Sequence, residues 1–132
     1  MDRVTEFKLC DTQYAMNLSV KAFIALSEKY GSVQKAFELI SKTRDDGKPA
    51  MLDPGVMEAA IDIGALLIEQ GAKYKARFEG ETFETLTRDD LEVLPQSDYY
   101  ALYTAVYIAM LKGGVRTVET EEDPKNAEAT QE

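Results

Sequence analysis

The residue pattern predicts an α+β fold, predominantly α-helical, with an N-terminal β-hairpin followed by about five helices. Three observations carry that prediction. Apolar alternation with period two occurs at the N-terminus, around Phe7, Leu9, Tyr14, Met16 and Leu18. From Ser19 onward, helix-start residues and glycine stops recur in turn. A chain of 132 residues, 45% of them hydrophobic, is enough for one core, and no internal repeat of about 20–50 residues is visible.

Each element follows from local chemistry. The alternating residues flank Cys10-Asp11-Thr12-Gln13, which reads as the turn of a two-stranded hairpin with one buried face. A hairpin alone is marginally stable, so it must lie on something. Ser19 is an N-cap for a helix with Val20, Phe23, Leu26 and Tyr30 on one side, stopped by Gly31. Ser32 caps a second helix whose stripe is Val33, Ala36, Phe37 and Ile40. The segment Thr43 to Leu52 gathers charges, Gly47 and Pro49 and reads as an exposed loop. Asp53-Pro54 starts a third helix running to about Arg77, with Met57, Ala60, Ile61, Gly64, Leu67, Ile68 and Gly71 inward. Gly64 and Gly71 mark either close approach of another backbone or a bend. Glu69, Lys73 and Arg77 are spaced four apart on the outer side.

Glu79 to Leu86 has no clear period and is an irregular link. Thr87-Arg88-Asp89-Asp90 resembles a capping box for a short helix through Leu91 and Leu94, ended by Pro95. Ser97 or Asp98 caps the last helix, which Gly113-Gly114 stops. Alternation from Val115 to Glu119 allows a C-terminal edge strand beside the hairpin. The expected organisation is a globular domain over 1–118 and a disordered acidic tail over 119–132.

The net charge of −9 is unevenly placed: Glu119 to Glu132 holds six acids and one lysine, and no large apolar residue. Such a balance opposes the phosphate contacts that dominate DNA affinity, so no nucleic-acid partner is expected. The glycine corner at Gly31 has the outline of a helix-turn-helix, but its second helix offers only Lys35 and Lys42 against Glu38. The longest apolar run, Ala105 to Leu111, is far short of the roughly 18 residues of a membrane span, so no membrane association is expected. No export signal is recognised at the N-terminus and Cys10 is the single cysteine, which together point to the cytoplasm.

Catalytic signals are weak. There is no histidine, and one cysteine cannot make a zinc set, so neither metal nor cofactor is expected. Asp45-Asp46 and Asp89-Asp90 lack the spacing of a calcium loop. Ser32-Val33-Gln34-Lys35 matches S-x-x-K, but the companion motifs are missing and a helix cap explains the same letters. Asn17-Leu18-Ser19 is a glycosylation triplet of no consequence in a chain that is not exported. The expected function is not enzymatic.

The unusual stretch is the last helix, apolar or aromatic from Tyr99 to Leu111 except for Thr104. With Leu102, Ala105, Val106 and Ala109 facing the third helix, Tyr99, Tyr103, Tyr107 and Met110 form a second stripe. Tyrosine and methionine suit an adaptable interface, so these four are the predicted partner-binding residues and the route of self-association. The opposing reading places them under the hairpin and the terminal strand as core.

The run Phe7-Lys8-Leu9, then Tyr14 to Leu18, then Ala22 through Glu28-Lys29-Tyr30-Gly31 resembles the start of the small tail assembly chaperones of long-tailed phages and prophages of Gram-positive bacteria. Those begin with a hairpin of the form F-x-L and Y-x-L-x-L and a helix ending in L-E-x-K-x-G. Here Ser27 stands where the family often has its first acid, and Met16 replaces a leucine. Leu86 to Leu91 is similar to a second capped helix of such proteins. The resemblance implies a non-catalytic protein that binds the helix-rich tape-measure protein before the tail tube polymerises. It implies no site residue individually. The rival readings are a structural virion component, such as a head-tail connection or tail protein, and a small regulatory adaptor.

Overall fold

The computed structural model describes residues 4–115. Strands β1 (Thr5–Leu9) and β2 (Thr12–Met16) pair antiparallel, with Thr5 opposite Met16, Phe7 opposite Tyr14 and Leu9 opposite Thr12. The turn is only two residues long. Cys10 and Asp11 have φ of 49° and 67°, the left-handed pair whose twist matches that of the flanking strands. Thr12 and Gln13, expected in the turn, therefore belong to β2.

Five helices follow: α1 (Val20–Tyr30), α2 (Val33–Ile40), α3 (Pro54–Tyr74), α4 (Arg88–Glu92) and α5 (Gln96–Met110). The fold is α+β and predominantly helical. Most helix starts are where the cap chemistry puts them. The Ser19 hydroxyl accepts from Ala22 N–H, Ser32 from Lys35 N–H and the Asp53 carboxylate from Gly55 N–H. Thr87 and Asp90 complete a reciprocal capping box. Gly31, at φ 97°, ends α1. The last helix differs: it begins at Gln96 after Pro95, and neither Ser97 nor Asp98 caps it. A proline at that point fixes the entry φ without a side-chain acceptor. Helix α3 also differs, leaving α-helical geometry at Tyr74 for a π-turn over Lys75–Glu79 that Gly80 closes at φ 68°. A second π-turn, Leu111–Val115, extends α5 through Gly113-Gly114.

Helix α3 is the axis of the molecule. The hairpin lies across it and α5, while α1, α2 and α4 also pack on it. One core runs through all of them, including Met16, Leu26, Ile40, Ile63, Leu67, Leu102, Val106 and Met110. The two helix glycines have distinct uses, both of them close approach. A Cβ on Gly71 would fall inside the Ala15 carbonyl group, so β2 lies backbone-to-backbone on α3 there. The neighbouring Asn17 N–H donates to the Leu67 carbonyl at 3.0 Å. At Gly64 the neighbour is a side chain, with Leu102 Cδ1 3.1 Å from where a Cβ would stand. The edge strand expected from Val115 to Glu119, the domain boundary at 118 and the tail 119–132 lie outside the described residues.

Candidate functional site

The predicted tyrosine surface is core. Tyr99 and Tyr103 retain 4% and 5% exposure, Met110 is fully buried and Tyr107 is half-buried. The cause lies at the C-terminal end of α2 and in the loop after it. The last turn of a helix leaves carbonyls without intrahelical donors, and the Tyr103 hydroxyl donates to the Ile40 carbonyl at 2.6 Å. The Tyr99 hydroxyl donates to the Met51 carbonyl at 2.7 Å. Tyr107 lays its ring on Phe37 at 5.1 Å. A phenol that finds an acceptor can be buried whole, ring and tip together. The tyrosines of the stripe pack on α2 and its loop, not under the hairpin. Burial holds the Tyr99 and Tyr103 hydroxyls above the usual tyrosine range. The solvent-facing line of α5 is instead Tyr100, Thr104 and Ile108.

Three exposed large apolar side chains are grouped on one face of α1. Val20, Phe23 and Ile24 are 79%, 50% and 53% exposed, although the apolar pattern places Val20 and Phe23 inward. Two polar anchors rotate the helix. The Ser19 hydroxyl, besides capping α1, donates to Gln70 Oε1 on α3 at 2.6 Å. At the other end Asp62 of α3 accepts from Lys29 Nζ at 2.7 Å and from the Tyr30 hydroxyl at 2.9 Å. These anchors point Ala22 and Leu26 at the core. The residues i, i+3 and i+4 from Val20 then share the outer face.

Beside the start of α1 lies an open groove of about 580 Å³, walled by Asn17, Ser19 and Gln70 and by the end of α3. Tyr74 and Phe78 stack there with ring centroids 5.1 Å apart, and Phe78 is largely exposed. The π-turn Lys75–Glu79 carries Phe78, four residues after Tyr74 and so on the same side of the helix. Lys73 and Arg77 stand on the groove as exposed cations. Neither forms an ion pair among the described residues, so the expected pairing with Glu69 is not made. Gln70 is buried, and its side-chain nitrogen has no hydrogen-bond partner among the described residues.

Other charged groups are closed on one another. Lys75, buried, bonds Glu6 at 2.6 Å and Glu79 at 2.8 Å, with Glu81 at 3.6 Å. The bonds to Glu6 and Glu79 hold its ammonium well above the usual lysine range. Arg88 joins Glu58, Asp62 and Glu92. Burial pushes Asp62 up, but the bonds from Lys29 and Tyr30 outweigh it and hold the carboxyl below its ordinary value. The S-x-x-K serine is engaged as a cap, 3.0 Å from Lys35 N–H. Asp46 pairs with Arg44 and accepts from Lys48 N–H, and Asp90 closes the capping box. Among the described residues no three cysteine or carboxylate side chains are grouped to hold a metal, and no helix is long and apolar enough to cross a membrane.

The arrangement offers adjacent apolar and cationic surface: an aliphatic and aromatic stripe on α1, and an aromatic groove beside it with two cations that form no ion pair among the described residues. Sequence reasoning identified Val20 and Phe23 but assigned them to the core, and did not single out Ile24. Phe78 and the groove were missed, because the groove joins Asn17 and Ser19 to the end of α3, residues distant in sequence that no local pattern brings together. No family model, curated protein or solved structure matches the chain.

Proposed function

We propose that the protein is a non-catalytic tail assembly chaperone of a long-tailed phage or prophage, acting in the bacterial cytoplasm. Its client is the helical tape-measure protein, bound through the outer face of α1 and the adjoining groove. The observation that carries the reading is the exposure of Val20, Phe23 and Ile24 on one helix face. Such a face, at i, i+3 and i+4 spacing, is what an amphipathic client helix recognises. The resemblance of the hairpin and of α1 to the start of this family supplies the identity of the client. Phe78 extends the apolar surface, and Lys73 and Arg77 add cations that select among client segments by charge.

Calorimetric titration of the full chain with purified helical segments of the tape-measure protein from the same phage or prophage tests the proposal. Saturable binding is expected. The double variant Phe23→Ser, Ile24→Ser should lose about tenfold or more in affinity, ~1.4 kcal/mol, at unchanged folding stability. Absence of binding by every segment overturns the proposal. So does detection of the chain in mature virions by mass spectrometry, which would make it a structural component.

A further inference from the structure

The outer face of α1 is complementary to itself. Val20, Phe23 and Ile24 are exposed on it, and so are Lys21 and Glu28. Lys21 and Glu28 are about two helical turns apart, so both lie along one flank of Ile24, while Phe23 lies along the other. Neither forms an ion pair among the described residues. The flank therefore runs from positive in the first turn of the helix to negative in the last.

This order of charges decides which helix the face accepts. Against a copy of itself running in the same direction, Lys21 would meet Lys21 and Glu28 would meet Glu28, and both contacts repel. Turned end for end about a twofold axis between Ile24 and Ala25, Lys21 of each copy stands opposite Glu28 of the other, twice in one interface. The same rotation brings the two Ile24 side chains together at the axis and sets the two Phe23 rings on the flank away from the charges. It also opposes the two helix dipoles.

We infer that the outer face of α1 is an antiparallel, twofold contact between two copies of this chain. One short helix from each copy makes a contact smaller than the roughly 1,200 Å² of stable complexes, and the net charge of −9 on each copy repels at long range. The dimer is therefore weak and forms at high concentration. The contact stands by itself. That a client helix takes the place of the second copy, so that the dimer keeps this face covered until a client arrives, rests on the chaperone reading.

Sedimentation equilibrium of the full chain between about 10 μM and 1 mM, with no client present, tests the inference. The mass should rise from that of a monomer toward that of a dimer across this range. The double variant Phe23→Ser, Ile24→Ser should stay monomeric throughout. Lys21→Glu and Glu28→Lys should each weaken the dimer by about tenfold, because each sets like charges opposite one another. Both changes suit the dipole at their own end of α1, so the fold is retained. An equimolar mixture of these two variants should associate more tightly than either alone, and the double variant Lys21→Glu, Glu28→Lys should regain the wild-type association. A wild-type chain that stays monomeric over the whole range overturns the inference. So does a dimer that survives the loss of Phe23 and Ile24, or one that is equally strong in the single and double charge variants. Because no client is added, this failure is distinct from a failure of tape-measure binding in the calorimetric titration.

Discussion

Helices α5 and α1 both carry more large apolar residues than a single core-facing stripe needs, and the fold treats them oppositely. On α5 two apolar stripes are buried, and after its first turn the exposed residues are Tyr100, Ala101, Thr104 and Ile108. On α1 the inner side is Ala22 and Leu26, and three large side chains face out. Hydrophobic content cannot explain the difference, since burial would favour Phe23 over Ala22 at about 25 cal/mol per Å². Polar anchors decide it. The phenols of α5 reach carbonyls of Ile40 and Met51, so its second stripe can be sealed. Ser19 and Tyr30 on α1 reach Gln70 and Asp62 on α3, which fixes the helix with Phe23 outside. Where the side-chain anchors lie determines which apolar face stays available for another molecule.

The comparison breaks most visibly if the two helices respond alike to loss of an aromatic ring. Tyr103→Ala removes a buried ring and leaves the Ile40 carbonyl unpaired, and should cost about 3–5 kcal/mol in urea unfolding. Phe23→Ala should cost less than about 0.5 kcal/mol apart from helix propensity. Equal losses would mean that α1 is covered as fully as α5. Tyr103→Phe isolates the anchor, because the ring remains and only the hydroxyl goes; a loss of about 1–2 kcal/mol is expected.

A second difference concerns backbone. Gly71→Ala should destabilise by about 2–3 kcal/mol, because the added methyl meets the main chain of Ala15 and a strand cannot rotate out of the way as a side chain can. Gly64→Ala, facing the end of Leu102, should be milder, with helix propensity offsetting about 1 kcal/mol of strain. The open choice at these glycines between close approach and a bend shows what was legible in the sequence. Element type and start came from cap chemistry that acts within four residues, as at Ser19, Ser32, Asp53 and Thr87, and this was readable. Which neighbour Gly71 meets, which carbonyl Tyr103 reaches and which way α1 rolls are contacts between residues distant in sequence, and no local pattern encodes them. The candidate site was misplaced for that reason: Tyr103 and Ile40 are separated by 63 positions.

Asp62 gives the comparison a pH dependence. Its folded-state carboxyl titrates below the ordinary value of about 3.9, so its contribution is complete above that value and lost as pH falls through the lower, folded one. Acidification from about pH 5 to about pH 3 should therefore weaken the anchoring of α1 while the tyrosine bonds of α5, between neutral groups, persist. Hydrogen exchange should show α1 losing protection before α5. The variant Asp62→Asn should lose less stability than wild type over the same interval. Simultaneous loss in both helices would mean that α1 is held by its apolar face and not by its polar ends.

The smallest effect on stability is the one that bears most on function. Val20 is among the most exposed large side chains, so Val20→Ser should change the unfolding midpoint by less than the equivalent of about 0.5 kcal/mol. Serine has a helix propensity close to that of valine, and at the first helical position, next to the Ser19 cap, little intrahelical bonding is at stake. If the outer face of α1 receives a client helix, the same substitution must weaken that complex although it leaves the free chain untouched. A residue that costs nothing in the monomer and something in the complex is the mark of surface kept apolar for a partner. A measurable loss of stability in the free chain would instead show Val20 to be covered, and the α1 face would then be no more open than that of α5.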